Sequence, residues 1–91
     1  MSTRALSISW GYKLPKVKDR HKCKLILLTI ADMCDDFGRC EVPIKHISKT
    51  LDMTEFEVTE SIKELYSHSI ATTIDGLTYI NLGLMEESPC Q

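Results

Sequence analysis

No stretch of this 91-residue chain is apolar for anything near the ~18 residues that a membrane-spanning helix needs, so no membrane span is expected. The opening Met1-Ser2-Thr3-Arg4 carries no apolar signal-peptide core, and a cytoplasmic protein is expected. The four glycines, Gly11, Gly38, Gly76 and Gly83, are scattered, which excludes a glycine-rich phosphate loop. The four cysteines, Cys23, Cys34, Cys40 and Cys90, form no Cys-x-x-Cys pair. His21-x-Cys23 with Cys34 and Cys40 lacks the short paired spacings of structural zinc sites, so reduced thiols and no metal are expected. Asp32, Asp35 and Asp36 lack the spacing of a calcium loop and read as a turn-forming cluster. His21, His46 and His68 stand with no evident nucleophile or carboxylate partner. Ser67-His68-Ser69 falls at a helix end, where a cation suits the dipole. The expectation is a binding protein rather than an enzyme, without cofactor.

Basic residues are nearly missing from one half. Residues 1–49 hold ten Lys/Arg against five Asp/Glu, a balance of +5. Residues 50–91 hold only Lys63 against eight acids, a balance of −7 that leaves the chain at −2. Such division presents a basic side and an acidic side, each able to steer a different partner. The length allows one domain, and 43% hydrophobic with 26% charged residues is ordinary for a globular fold.

Residues 1–17 read as an extended arm packing on the core through Ala5, Leu6, Ile8 and an anchoring Trp10, with Leu14 and Pro15. A basic run follows: Lys16, Lys18, Arg20, Lys22 and Lys24, with His21 and one acid, Asp19. Asp19 is the expected N-cap of a helix ending near Cys34. On it Cys23, Leu27, Ile30, Ala31 and Cys34 recur at helical spacing and form one buried face, widened by Ile26 and Met33. Asp35 to Arg39 breaks the helix, with Gly38 free to take positive φ. Cys40 to Val42 predicts a short strand. Pro43 suits the first turn of a helix on which Ile44, Ile47, Ser48 and Leu51 face inward and Lys45, His46 and Lys49 outward.

After a tight turn at Asp52-Met53, Thr54-Glu55-Phe56-Glu57 spells a capping box. Val58, Ile62 and Leu65 give the following helix, to about His68, its buried face. Ile70 to Ile74 and Leu77 to Leu82 predict two strands joined by Asp75-Gly76 in a type I′ turn, pairing Ile74 with Leu77, Thr72 with Tyr79 and Ala71 with Ile80. Residues 84–91 read as a mobile tail. The fold class expected is mainly α with a small β-hairpin: a winged helix-turn-helix of three helices and a two-stranded wing spanning residues 18–83.

Ala5-Leu6 with Trp10, the run Lys24-Leu25-Ile26-Leu27-Leu28-Thr29-Ile30-Ala31-Asp32, the turn Phe37-Gly38-Arg39-Cys40 and the helix end Ile62 to Ile70 resemble the N-terminal winged helix-turn-helix domain of phage and prophage replication proteins. The resemblance covers roughly residues 5–82. It implies a DNA-binding protein of a bacterial host cell, acting in replication initiation or transcription regulation. Two departures stand out. Ser69 occupies a position where that family carries glycine, so an altered turn is expected there. The outer face of the second helix, commonly Arg-rich in the family, here reads Glu55, Phe56, Glu57, Thr59, Glu60 and Lys63.

Phosphate neutralisation dominates DNA affinity, so an acidic reading helix needs cations from elsewhere. The candidate nucleic-acid contacts are Lys45, His46, Lys49, Thr59 and Lys63, with Arg20, Lys22 and Lys24 from the basic run. The competing expectation is a protein-binding surface of Glu55, Phe56, Glu57, Glu60, Glu64 and Asp75, which mimics nucleic acid toward a basic host partner or inhibits a host nucleic-acid-binding (defence) complex. A homodimer suits either reading.

Overall fold

A computed structural model of the chain describes residues 3–41, 43–74 and 77–87. Among these residues the chain is mainly helical, with a three-stranded antiparallel sheet. The elements are α1 (Thr3–Gly11), α2 (Arg20–Met33), β1 (Arg39–Cys40), α3 (Ile44–Leu51), α4 (Glu55–Ser67), β2 (Ala71–Ile74), β3 (Leu77–Ile80) and α5 (Leu82–Glu87).

The apolar face of α2 lies at the centre. Cys23, Ile26, Leu27, Ile30 and Ala31 are buried along it, and Cys34 closes its C-terminal end. α1, α3 and α4 all pack against this helix, bringing Ala5, Ile47, Val58, Ile62 and Leu65 into one core. Each fully buried Leu or Ile contributes about 1.5–3 kcal/mol relative to exposure, which makes this stripe the main source of cohesion.

Asp19 does precede α2, but it does not cap with its side chain. Its backbone is left-handed (φ 48°) and only its carbonyl engages, accepting from Cys23 N at 3.0 Å. Its carboxylate lies instead 3.8 Å from Lys22 Nζ.

The expected extended arm is a helix. Leu6, Ile8 and Trp10 alternate with serines in a strand-like way, yet α1 buries Ala5 and Ser9, two small residues one helical turn apart. Helical geometry then turns Trp10 away from that face, leaving it 70% exposed rather than anchoring. The expected tail is also ordered in part. α5 buries Leu82 and Met85, starts with Leu84 N on the Asn81 side-chain oxygen (3.1 Å), and packs on α1. Arg4 of α1 reaches Glu86 of α5 at 2.6 Å, so the segments expected as arm and tail meet. Residues 88–91 lie outside the described residues.

The sheet has the order β1-β3-β2. The expected pairs Ile74 with Leu77, Thr72 with Tyr79 and Ala71 with Ile80 are present, and β1 adds Arg39 with Tyr79 and Cys40 with Thr78. Val42 and the Asp75-Gly76 turn lie outside the described residues. Pro43 sits one position before the first helical residue of α3, in extended conformation.

Asp35 builds the turn before β1. Its carboxylate accepts from Arg39 N, Phe37 N and Arg39 Nε at 2.9–3.0 Å, and these donors, the Arg39 amide foremost, lower its pKa. Gly38 is held at φ 79°, where its carbonyl accepts from Ile80 N at 2.7 Å and extends the ladder. A Cβ there would stand 2.6 Å from the Ile80 carbonyl oxygen. Ser69 takes the same left-handed region at φ 60°, so this turn is made without glycine and at a conformational cost.

These two positions respond oppositely. Gly38→Ala is expected to destabilise by about 2–3 kcal/mol through strain and backbone clash. Ser69→Gly is expected to stabilise by about 0.5–1 kcal/mol. Urea unfolding midpoints of the two variants check both signs.

Candidate nucleic-acid interface

α3 and α4 are joined by a three-residue turn that the sequence sets at both ends. Asp52 closes α3 in the left-handed region (φ 54°), which aspartate tolerates; its N–H donates to the Lys49 carbonyl at 3.3 Å, and Met53 N donates to the Ser48 carbonyl at 2.9 Å. Thr54 then opens α4 with the expected capping box: Glu57 N donates to Thr54 Oγ1 at 3.1 Å, and Thr54 N donates to Glu57 Oε1 at 3.0 Å. Val58, Ser61, Ile62 and Leu65 face inward, which leaves Phe56, Glu60, Lys63 and Ser67 outermost and Thr59 half-buried beside them. At the far end Tyr66 fixes the hairpin to α4: its hydroxyl accepts from Thr73 Oγ1 at 2.7 Å and shares a 3.3 Å hydrogen bond with Thr78 Oγ1.

Lys22 donates to Glu57 Oε2 at 2.6 Å and ties α2 to the first turn of α4. Lys63 and Glu60 pair along the helix at 3.3 Å. Glu64 accepts from Lys18 N at 3.0 Å. Among the described residues Glu55 is the one glutamate of α4 without a hydrogen bond or ion pair. An open groove of about 660 Å³ runs between α4 and the start of α2, with Lys18 and Lys22 on one wall and Phe56, Glu60, Lys63 and Glu64 on the other.

The residues expected to touch nucleic acid are not all placed alike. Lys45, His46 and Lys49 are exposed along α3, next to α4, and Arg20 is exposed at the start of α2. Among the described residues none of these four forms an ion pair. Thr59 and Lys63 lie on α4 as expected. Lys22 is engaged by Glu57, which also joins the two competing residue sets in one contact. Lys24 is turned elsewhere: its ammonium donates to the carbonyls of Ser9, Trp10 and Tyr12 at 2.6–2.8 Å and closes the C-terminus of α1. On the protein-binding set, Glu55, Phe56 and Glu60 are exposed, Glu57 and Glu64 half-buried, and Asp75 lies outside the described residues.

Sequence reasoning missed both Lys22–Glu57 and the role of Lys24. Each joins residues 12 or more positions apart, and no local spacing marks them. Lys18, which lines the groove, was legible only as one member of the basic run.

The cysteines have structural roles. Cys23 Sγ lies 3.3 Å from the Lys18 carbonyl, and burial raises its pKa. Cys34 and Cys40 are both buried, and the neighbouring Cys40 sulfur together with burial raises the pKa of the Cys34 thiol. Cys90 lies outside the described residues. Among the described residues no three His, Cys, Asp or Glu side chains converge as a metal site, and no helix is long and apolar enough to cross a membrane.

No protein-family model, curated protein or solved structure matches this chain.

Glu57 is the most perturbed carboxylate of this face. The Lys22 ammonium, then the Thr54 amide and hydroxyl, lower its pKa to about 2. A carboxyl depressed in the fold contributes stability that is complete above its ordinary value and is lost as pH falls through the folded value. The stability difference between the wild type and Glu57→Gln is therefore expected to be full at pH 7, to shrink below about pH 4.5 and to vanish near pH 2. Urea midpoints of the pair across that range check it, and a Glu57 carboxyl that titrates near 4.5 by carbon NMR would contradict the arrangement.

Proposed function

We propose that this chain is a winged helix-turn-helix that binds double-stranded DNA, of the phage or prophage type, acting in replication initiation or transcription regulation in the bacterial cytoplasm. The element order α2-β1-α3-α4-β2-β3 and the sheet order β1-β3-β2 support the fold: α3 and α4 form the helix-turn-helix and β2–β3 the wing. The resemblance of residues 5–82 to replication-protein domains supports the setting.

The observation that carries the DNA reading is electrostatic. As a sequence, α4 is an acidic helix. In the fold, Glu57 and Glu60 are paired with lysines, and Lys45, Lys49, Lys18 and Arg20 project from the elements on either side. A helix entering the major groove meets phosphates along both flanks and base edges along its middle. Lys45, His46, Lys49 and Arg20 are suited to the phosphates. Thr59 and Lys63 are suited to base edges, and Glu55 to the amino group of cytosine. Binding rather than catalysis is the role this surface fits.

A second reading is favoured by Phe56, which is 73% exposed at the edge of the groove. With Glu55, Glu60 and Glu64 it forms a surface for a basic host protein, in which case the chain inhibits a nucleic-acid-binding complex by mimicry. Self-association as a dimer is compatible with both.

Lys45→Glu with Lys49→Glu separates the readings. Duplex binding is expected to fall at least a hundredfold in fluorescence anisotropy at low salt. Neutral replacements, Lys45→Gln with Lys49→Gln, are expected to make the slope of log affinity against log salt shallower by about two, one for each lost phosphate contact. Unchanged affinity, or no duplex binding by the wild type at low salt, would overturn the DNA reading. Capture of a host protein that Glu55→Lys with Glu60→Lys abolishes would establish the second.

A further inference from the structure

The indole of Trp10 and the first two lysines of the basic strap between α1 and α2, Lys13 and Lys16, take no part in the α3–α4 surface. Residues 12–19 form neither helix nor strand, yet they are held in place. Leu14 is buried, the Tyr12 carbonyl is bound by Lys24, and Lys18 N is bound by Glu64. Leu14 is inward, and Lys13, Lys16, Lys18 and Arg20 are exposed. Among the described residues none of these four side chains makes an ion pair, and Asp19, the one acid of the strap, is beside Lys22. Trp10 opens the strap with 70% of its surface in solvent.

A large flat apolar ring costs free energy when left in water. With exposed lysines three and six positions further along the chain, its natural ligand is flat, aromatic and anionic. A polynucleotide single strand has both features: each base offers a π-face and each linkage a negative charge. Duplex DNA offers the charges, but its base faces are stacked internally. A basic or acidic peptide satisfies only the indole or only the lysines.

We propose that Trp10, Lys13 and Lys16 form a second site, one that holds single-stranded nucleic acid with a base stacked on the indole and the flanking phosphates on the two ammonium groups. The site lies on α1 and the strap, not on the α3–α4 surface, and it does not depend on the duplex reading. Ring stacking and phosphate contacts are common to every base, so the expected binding is tolerant of sequence. The shared chemistry fits DNA and RNA strands, and the experiment tells them apart.

Trp10 is the only tryptophan, so its fluorescence reports the site directly in the full chain. Titration with oligo-dT and oligo-rU is expected to quench it, less so as salt rises, whereas a blunt duplex quenches little. The strand that quenches at lower concentration identifies the source. In anisotropy with labelled strands, Trp10→Ala is expected to weaken binding about tenfold, which is within the range for loss of one stacked base, and Trp10→Phe to recover most of it. Lys13→Glu with Lys16→Glu is expected to weaken it more. Because all three residues are exposed, folding is retained, and far-UV circular dichroism checks this. Lys45→Glu with Lys49→Glu is expected to leave the single-strand quench in place, so loss of duplex binding and loss of this site are separate outcomes. No quench by either strand at low salt, equal quench by duplex, or wild-type affinity in the Trp10→Ala variant would overturn the site.

Discussion

Cys23, Ile26, Leu27, Ile30 and Ala31 are all buried on α2, with Cys34 buried just past its end, and no single neighbour covers them. α1, α3 and α4 each take a share, and Ile70 before β2, Ile80 of β3, and Leu82 and Met85 of α5 complete the same core. Apolar burial is non-directional, so this stripe supplies cohesion without fixing angles. Orientation comes from the polar contacts at the edges of the core. Lys22 pins α4 at its start, Tyr66 pins the hairpin at its end, and Lys24 closes α1.

Glu57 shows how one side chain joins several levels. It completes the cap that begins α4, so it sets where the turn from α3 ends. It also accepts from Lys22, so it sets how α4 lies on α2. The same contact changes the electrostatics of the candidate interface. A glutamate that counts as −1 in the sequence is neutralised in the fold by a lysine from 35 positions away. The proposed DNA reading depends on that difference. Lys22 moves the balance of α4 from −3 to −2, the Lys63–Glu60 pair lies within the helix, and the cations left for phosphates come from α3 and the start of α2.

The two proposed sites divide the basic half of the chain between them. α3 contributes Lys45 and Lys49 beside α4, and the strap contributes Lys13 and Lys16 beside Trp10. Lys22 and Lys24, in the middle of the basic run, serve the fold. A run of alternating lysines is therefore not one functional unit. Each lysine does what its neighbours in space require.

Local rules in the sequence by themselves determined α2, α3, α4 and the register of the hairpin. Helical spacing of Cys23 to Cys34, the Thr54–Glu57 cap and the pairing about Asp75-Gly76 act over a few residues, and such interactions depend little on context. The duplex-binding candidates on α3 and α4 were legible for the same reason: outward positions on an amphipathic helix follow from its period. The tertiary structure alone decided that the first segment is helical, that Trp10 is exposed, that α5 forms against α1, and that β1 joins the sheet. It also decided which charges are free. α1 and α5 are short, and their ordering comes from burying Ala5, Leu82 and Met85 against distant partners rather than from propensity. Ion pairing works in the same way, because the sequence gives the number of charges and only packing places them within reach of one another.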